Sequence, residues 1–359
     1  MHTQSKFRLL VVRLGAMGDI LHALPAVTAL RSAHPAWIID WVVEPRWRAL
    51  LAAPGSADRG PSQPVVDHLH FAPTKQWRRS PFSLRTIREI KALRSQLRAA
   101  GYDAVIDLQG SLRSAVVAKF AGCSRLIGED QPRETPARWF FTERILTSGA
   151  HVIEQDAELA SAVAGDVLAA AVPWLPVDPV AEIWCDALLN SCAPLSTASR
   201  AAVLINPGAG WGAKRWPVER YATVAQGLVE RGFRVFVNAG PGEDSLADAI
   251  VNGTRGSATP LNASLDQLIA FTRRIALCIA GDTGPLHLAC ALGRPVVGIY
   301  GPTDPSRNGP FGTRFKVLRS PQSRRDHTRH AVPEAGLLTI RPEDVLAAAA
   351  DLLAQENAS

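Results

Sequence analysis

The feature that most constrains this chain is a pattern it uses twice: a short β-rich apolar run, a glycine turn, then a helix. Residues 9–12 (Leu-Leu-Val-Val) lead into Gly15-Ala16-Met17-Gly18-Asp19, and residues 20–33 follow with helical apolar spacing. Residues 202–205 (Ala-Val-Leu-Ile) lead into Pro207-Gly208-Ala209-Gly210, and a helix is predicted over 218–231. After each start the alternation continues. Further strands are predicted at 37–43 and 103–107, then at 234–237, 275–279 and 295–299, with intervening helices at 83–100 and from near Pro285. Strands of continuous apolar character between helices call for a mostly parallel sheet covered on both faces. At 359 residues the chain has room for two such units. A proline-bearing segment, 172–179, separates the series, so domains of 1–178 and 179–359 are expected. The expected fold is α/β, two Rossmann-like doubly wound domains facing across a cleft, with a last helix, 342–355, packing back on the first.

Composition narrows the partner more than the fold. With 47% hydrophobic and 20% charged residues the chain is ordinary globular protein, and no apolar run is long enough to span a bilayer. Residues 9–14 are too short and wrongly flanked for a signal peptide, so a cytoplasmic protein is expected. Five cysteines lack C-x-x-C spacing, which indicates neither a zinc site nor a disulfide framework. A formal charge of +6 asks for an anionic partner: a nucleic acid, a phosphorylated small molecule or an acidic membrane surface. The most basic run, Lys75-Gln76-Trp77-Arg78-Arg79, holds one tryptophan, a poor stacking platform, so nucleic acid is not expected.

Doubly wound domains bind ligands beyond the carboxyl ends of their strands. Asp19 lies there, at a helix start, where it is either a plain N-cap or a functional carboxylate. The loop Gly208-Ala209-Gly210-Trp211-Gly212-Ala213-Lys214-Arg215-Trp216 has the composition of a phosphate cradle, or of a surface turn with solvated cations. It has neither P-loop spacing nor G-x-G-x-x-G, so ATP hydrolysis and nicotinamide chemistry lose support. Gly281-Asp282-Thr283-Gly284-Pro285-Leu286-His287 is a strand-to-helix turn suited to a diphosphate, and equally a helix capped by Asp282 or Thr283 with Pro285 at its first position. Lys75, Arg78 and Arg79, with Arg85 and Arg88 beyond, form either a solvated basic face or an anion site.

In their order and spacing these motifs resemble glycosyltransferase family 9, the bacterial lipopolysaccharide heptosyltransferases, and most closely the heptosyltransferase I branch. The resemblance rests on residues 13–22 (Arg-Leu-Gly-Ala-Met-Gly-Asp-Ile-Leu-His), 40–44 (Asp-Trp-Val-Val-Glu), 102–110 (Tyr-Asp-Ala-Val-Ile-Asp-Leu-Gln-Gly), Lys214-Arg215-Trp216-Pro217, Gly281-Asp282-Thr283-Gly284 and 300–305 (Tyr-Gly-Pro-Thr-Asp-Pro). It implies a GT-B fold with the acceptor in the N-terminal domain and ADP-heptose in the C-terminal one. The implied reaction moves L-glycero-D-manno-heptose to a Kdo sugar of the lipopolysaccharide inner core, inverting the anomeric carbon and requiring no metal or other cofactor. Asp19 would then be the base, and Lys214 with the N–H groups of Thr283 and Gly284 would stabilise the leaving diphosphate. Gly210, Trp211, Asp282 and His287 fall on the donor side, His287 either reaching phosphate or filling its helix face, and Glu243 is placed to accept ribose hydroxyls. Gly18, Lys75, Arg78, Arg79, Arg113, Arg133 and His151 fall on the acceptor side, facing the Kdo–lipid A anions. The basic surface would hold the protein peripherally at the inner leaflet.

The chain departs from the family pattern where relatives carry hydroxyl residues: it has Gly15 and Ala16 in the first loop, and Gly210 and Trp211 in the phosphate loop. Residues 323–330 are unusually basic, a candidate flap, and His327 and His330 there read as surface residues, not metal ligands. Oligomeric state is not legible. Two alternatives keep the same sequence features: a family 9 transferase with another sugar or acceptor, and a non-catalytic module that binds lipopolysaccharide or nucleotide.

Overall fold

A computed structural model describes residues 6–54, 59–191, 201–326, 328 and 330–356. The chain divides into two compact units, Met1–Val177 and Asp178–Ser359.

The first unit is a parallel sheet of β1 (Arg8–Val12), β2 (Ile38–Val43), β3 (His68–Phe71), β4 (Ala104–Asp107), β5 (Leu126–Glu129) and β6 (Glu143–Ile145), in the order β3-β2-β1-β4-β5-β6. Its helices are α1 (Met17–Ala33), α2 (Thr74–Arg79), α3 (Leu84–Ala100), α4 (Leu112–Lys119) and α5 (Val152–Ala164). α1 packs along α5, and its Ile20, Leu24, Val27 and Leu30 are fully buried. A helix apolar on nearly every side belongs inside, which is why its sequence reads as one run with little amphipathic contrast. The opposite face of the sheet closes with Leu93 and Leu97 of α3 and Ala115 and Ala118 of α4 over Leu10, Val12 and Val105. α3 begins where the Ser83 hydroxyl accepts the Thr86 N–H and ends at Gly101, whose φ of 65° suits a residue without a Cβ.

The second unit repeats the plan. Its strands are β7 (Ala202–Asn206), β8 (Arg234–Asn238), β9 (Thr259–Leu261), β10 (Ile275–Gly281), β11 (Val296–Tyr300) and β12 (Phe315–Arg319), parallel in the order β12-β11-β10-β7-β8-β9. Around them lie α6 (Pro179–Ser191), α7 (Val218–Glu230), α8 (Asp244–Gly253), α9 (Leu265–Thr272), α10 (Gly284–Ala291), α11 (Pro305–Asn308) and α12 (Pro342–Glu356). The predicted last helix, 342–355, is α12. Val345, Ala349 and Leu352 of α12 pack into the second unit's own core, against α7 and β10–β12. An apolar stripe at i, i+4 and i+7 seeks a bare sheet face, and the strands completed just before it supply one.

Counted from its own first strand, each sheet has the order 3-2-1-4-5-6. Connections therefore leave in opposite directions between strands one and four, which opens a crevice at their carboxyl ends. In the first unit the switch lies between β1 and β4, in the second between β7 and β10. Among the described residues no helix is long and apolar enough to cross a membrane.

Candidate active site

At the first switch point the turn after β1 is shaped by Gly15. Its φ of +148° is a conformation L side chains rarely adopt, and a Cβ there would lie 2.6 Å from Nε1 of Trp47. The helix begins with Ala16 as its N-cap, so Asp19 is the third residue of α1 and not the cap that its sequence position first suggests. Its Oδ2 accepts the Ala16 N–H at 2.9 Å, while Oδ1 sits 3.4 Å from an Arg13 guanidinium nitrogen. Alanine offers no side-chain acceptor, so Asp19 alone closes this helix start. Gly18, beside it, is half-buried in the first turn.

The turn after β4 holds this loop from the other side of the switch. Gln109 accepts the Leu14 N–H on Oε1 at 2.8 Å and donates from Nε2 to Ser111 Oγ at 2.9 Å. Asp107 takes the N–H groups of Gln109 and Gly110 on Oδ1, at 2.8 and 3.0 Å. Burial pushes the Asp107 carboxyl up to about 6, against those two hydrogen bonds and the nearby charge of Arg13, and its Oδ2 has no partner. Gly110 has φ +61°, and the Arg133 backbone passes so close that a Cβ would meet its nitrogen at 3.1 Å. Gln109, Asp107 and Arg13 stand in the sequence motifs, but nothing in their spacing assigns them this work; a contact across 95 positions has no local signal. Replacing Gln109 with Leu leaves the Leu14 N–H unpaired and frees the loop that carries Asp19. For a site in which Asp19 is the reacting carboxylate, the expected result is a fall in kcat of about tenfold to a hundredfold, the range for a small misplacement of such a group, with KM for a ligand of the other unit unchanged. Steady-state kinetics check this, and an unchanged kcat would show that the loop keeps its shape without the bond.

His151, expected on the acceptor side, is buried at the start of α5, where Nδ1 accepts the Ile153 N–H at 3.2 Å. Its ring meets that of His22 edge-on with centroids 5.6 Å apart, and His22 lies three residues beyond Asp19 in α1. Lys75, Arg78, Arg79 and Arg113 are exposed. Burial and the facing Arg46 hold the Lys75 ammonium below its ordinary value, against the pull of Glu44, with Arg113 and Arg78 adding to the effect. Lys75, Arg78 and Arg113 thus share one electrostatic neighbourhood with Arg46. Glu44 anchors it: it accepts from the Thr74 hydroxyl at 2.6 Å and the Lys75 N–H at 3.1 Å. Arg46, which stacks 4.4 Å over Trp47, is a member that the sequence motifs did not single out.

The second switch point is built around Asp282. Lys214, from the turn after β7, pairs with one carboxylate oxygen, and His287 Nε2 lies 3.1 Å from the other. Burial works against the ionised form, but the His287 hydrogen bond and the Lys214 charge hold this carboxyl well below the usual range. Thr283 caps α10, with Gly284 first and Pro285 second in the helix, one place later than the expected first position. The backbone N–H groups of that first turn open toward the strand ends. The Lys214 ammonium sits 4.5 Å over the Trp211 ring. His287 is buried on the helix face as well as bonded to Asp282, so filling and polar contact coincide.

Glu243 follows β8 at the start of α8, and its carboxylate reaches back to the β7 loop. A Cβ on Gly208 would collide with it, and one on Gly240 would lie 2.9 Å away, so glycine at both positions lets the acid in. Arg215 pairs with it at 3.1 Å. Gly210 lies in open space in the same loop. The loop is tied down further along: the Ala213 N–H donates to the His330 carbonyl at 3.0 Å, and the Ala213 carbonyl accepts the Glu334 N–H at 3.1 Å.

The basic segment suspected as a flap is bonded along its described length. Ser323 donates to Glu334 at 2.9 Å, Arg325 pairs with Asp304, and His330 lies 3.2 Å from Asp326. His327 lies outside the described residues. Among the described residues no group of three or more His, Cys, Asp or Glu side chains is placed to hold a metal ion. Cys185, Cys278 and Cys290 are buried and Cys123 partly so. A groove of about 650 Å³ between α7, α8 and α12 contains none of the residues expected at a site.

Comparison with known proteins bears on the family and the fold. The family model described as glycosyltransferase family 9 (heptosyltransferase) matches residues 90–336. Lipopolysaccharide heptosyltransferase 1 of Escherichia coli K12 is 29% identical over 326 residues, 88% of this chain and 94% of that one. The enzyme of the same name from Pseudomonas aeruginosa PAO1 is 28% identical over 309 residues, 85% of this chain and 81% of its own. Among solved structures, E. coli heptosyltransferase WaaC with ADP-2-deoxy-2-fluoro heptose superposes with a TM-score of 0.73 at 27% identity, covering 98% of this chain and all of that one. E. coli ADP-heptose lps heptosyltransferase II, at 24% identity and a TM-score of 0.76, shares the fold over 98% of this chain and 100% of its own. The two six-stranded sheets are the paired Rossmann-like domains of the GT-B class.

Proposed function

Because the chain belongs to glycosyltransferase family 9, we propose that it transfers L-glycero-D-manno-heptose from ADP-heptose to Kdo of the lipopolysaccharide inner core, with inversion and without a required metal. The observation that carries the reading is the division of chemistry between the two switch points. One bears a carboxylate fixed at the start of a helix; the other bears a cation, a histidine and a helix N-terminus.

On the donor side, the diphosphate of ADP-heptose lies at the N-terminus of α10, where the Thr283 and Gly284 N–H groups and Lys214 meet the charge that grows as the sugar leaves. Asp282 and His287 complete the donor side: Asp282 positions Lys214, and His287, bonded to the same carboxylate, stands one turn into the helix that faces the phosphates. Glu243, at the end of the second strand of its sheet, accepts the ribose hydroxyls, as an acid at that position does in dinucleotide folds. Gly210 and Trp211 line the same loop. On the acceptor side, Asp19 removes the proton of the attacking Kdo hydroxyl while ADP departs from the opposite face of the sugar. Gly18 gives the acceptor close access to backbone, and Lys75, Arg78, Arg79, Arg113, Arg133 and His151 pair with its phosphate and carboxylate groups. The reaction requires no cofactor beyond the donor, and it places the protein in the cytoplasm, peripheral to the inner face of the membrane.

Product analysis tests the proposal: purified protein is incubated with ADP-heptose and Kdo-bearing lipid A, with the donor omitted as control and UDP- and GDP-sugars in parallel. The expected result is one heptose added per acceptor from the ADP-sugar alone, insensitive to chelator. Transfer from UDP- or GDP-sugars in its place would redirect the reading to another sugar.

A further inference from the structure

We infer that the turn between α2 and α3 is a membrane wedge, in which Phe82 and Leu84 insert into an anionic bilayer and the surrounding arginines hold its headgroups. The inference deepens the functional reading and rests on it, since a lipid-anchored acceptor is what would bring this protein to a bilayer.

Two observations meet at this turn. The first is apolar exposure without disorder. Phe82 is 91% exposed and Leu84 72%, with Ile87 at 39% one turn along α3. Yet the turn that presents them is fully bonded: Ser83 accepts the Thr86 N–H at 3.1 Å, and the Thr86 hydroxyl donates to the Ser80 carbonyl at 2.8 Å. Trp77 is buried beneath, its indole N–H on Glu89 at 2.9 Å. A phenylalanine held out in water by a rigid turn gains nothing for the fold, and apolar groups so displayed mark a surface that meets something apolar.

The second is charge. Residues 75–98 contain eight lysines and arginines and a single carboxylate, Glu89, a net +7 where the whole chain carries +6. That carboxylate is already taken by Trp77 and by Arg85 at 2.8 Å. The other seven cations, Lys75, Arg78, Arg79, Arg88, Lys91, Arg94 and Arg98, are all exposed, on the short α2 before the apolar tip and along α3 after it. Aromatic and aliphatic side chains set among cations are the composition of an interfacial anchor: the apolar tip enters the acyl boundary and the cations stay at the headgroups. A nucleic acid would use the cations and leave Phe82 and Leu84 idle. The wedge lies on the same hairpin as Lys75, Arg78 and Arg79, so docking would bring the acceptor cluster down to the height of the headgroups.

The test is co-sedimentation of the full chain with phosphatidylcholine vesicles, with and without phosphatidylglycerol, containing no saccharide. Wild type is expected to bind the anionic vesicles and be released as salt rises from roughly 0.1 M to 1 M. Phe82→Ser with Leu84→Ser should lower partitioning about tenfold or more, as each loses an apolar side chain to bury, and Arg88→Gln with Lys91→Gln should lower the preference for anionic lipid about tenfold, two of seven cations being lost. All four positions are exposed, so circular dichroism should match wild type. Transfer to a deacylated acceptor should be unchanged in both variants, while transfer to bilayer-borne acceptor falls. Equal partitioning of wild type and the Phe82/Leu84 variant overturns the inference, as does single-stranded RNA displacing the vesicles while binding that variant as well as wild type. Vesicle binding without heptose transfer would leave the wedge and remove the proposed function. Transfer to a deacylated acceptor without vesicle binding would do the reverse.

Discussion

Asp19→Asn is expected to lower kcat about a thousandfold while ADP affinity stays within a factor of two or so, the loss appropriate to removing a general base. Asparagine keeps the size of the side chain and an oxygen able to accept the Ala16 N–H, which lies 2.9 Å from the carboxylate. Only basicity and charge are lost. Donor affinity has no reason to change, because the residues proposed for ADP belong to the second unit, Asp178–Ser359, and Asp19 to the first. Arg13 gives up a partner at 3.4 Å but keeps the nearby Asp107, so the variant should fold. Initial rates at saturating donor and a calorimetric ADP titration separate the two quantities. A variant retaining a tenth or more of the wild-type rate would remove Asp19 from the role of base.

Lys214→Met should cost a hundredfold to a thousandfold in kcat, about the effect of deleting one preorganised donor to a developing anion. It should also destabilise the chain, because Asp282 is left in a nearly buried position with His287 as its remaining partner. Combining it with Asp282→Asn separates the effects: stability should return, since neither charge remains, and activity should not. Acid sensitivity gives an independent reading. In the native chain the Asp282 carboxyl lies below its ordinary value, so the unfolded state binds a proton first as pH falls. The pair's contribution is therefore complete above about pH 4 and lost below it. Lys214→Met raises the native carboxyl toward its unfolded value, and acid unfolding should begin at a higher pH. Urea melts at about pH 7 and about pH 3, above and within the window in which the pair is lost, check this; restored activity in the double variant would free Lys214 from the chemistry.

The central strands of both sheets are legible in the sequence because they are buried on both faces and read as continuous apolar runs: Leu9 to Val12 and Leu277 to Ile279 are fully buried. The edge strands are not. β3 is His-Leu-His-Phe, and β6 and β9 have three residues each, too short and too polar for periodicity to register. Asp19, Lys214 and Asp282 follow central strands of this kind, whereas Lys75, Arg78 and Arg79 follow the edge strand β3. What the sequence hides is who holds them. Gln109 meets Leu14 across 95 positions and Lys214 meets Asp282 across 68, contacts that exist only because strands one and four of each sheet are neighbours. Of the two readings open for Asp19, the cap position itself belongs to an alanine, a residue with no capping signal of its own, and Asp19 stands three places in, accepting the cap's N–H.

The two backbone bonds that fasten Ala213 to His330 and Glu334 have a consequence for the order of events during synthesis. Most of the strands around that loop emerge from the ribosome well before residue 330, and domains form progressively as the chain lengthens. The loop that carries Lys214 cannot take its final shape until its distant fasteners arrive. A nascent chain already carrying a folded first unit would thus stay without a finished Lys214 loop until translation is nearly over, so a polypeptide cut short ahead of residue 330 would be a half-assembled enzyme and not a slow one.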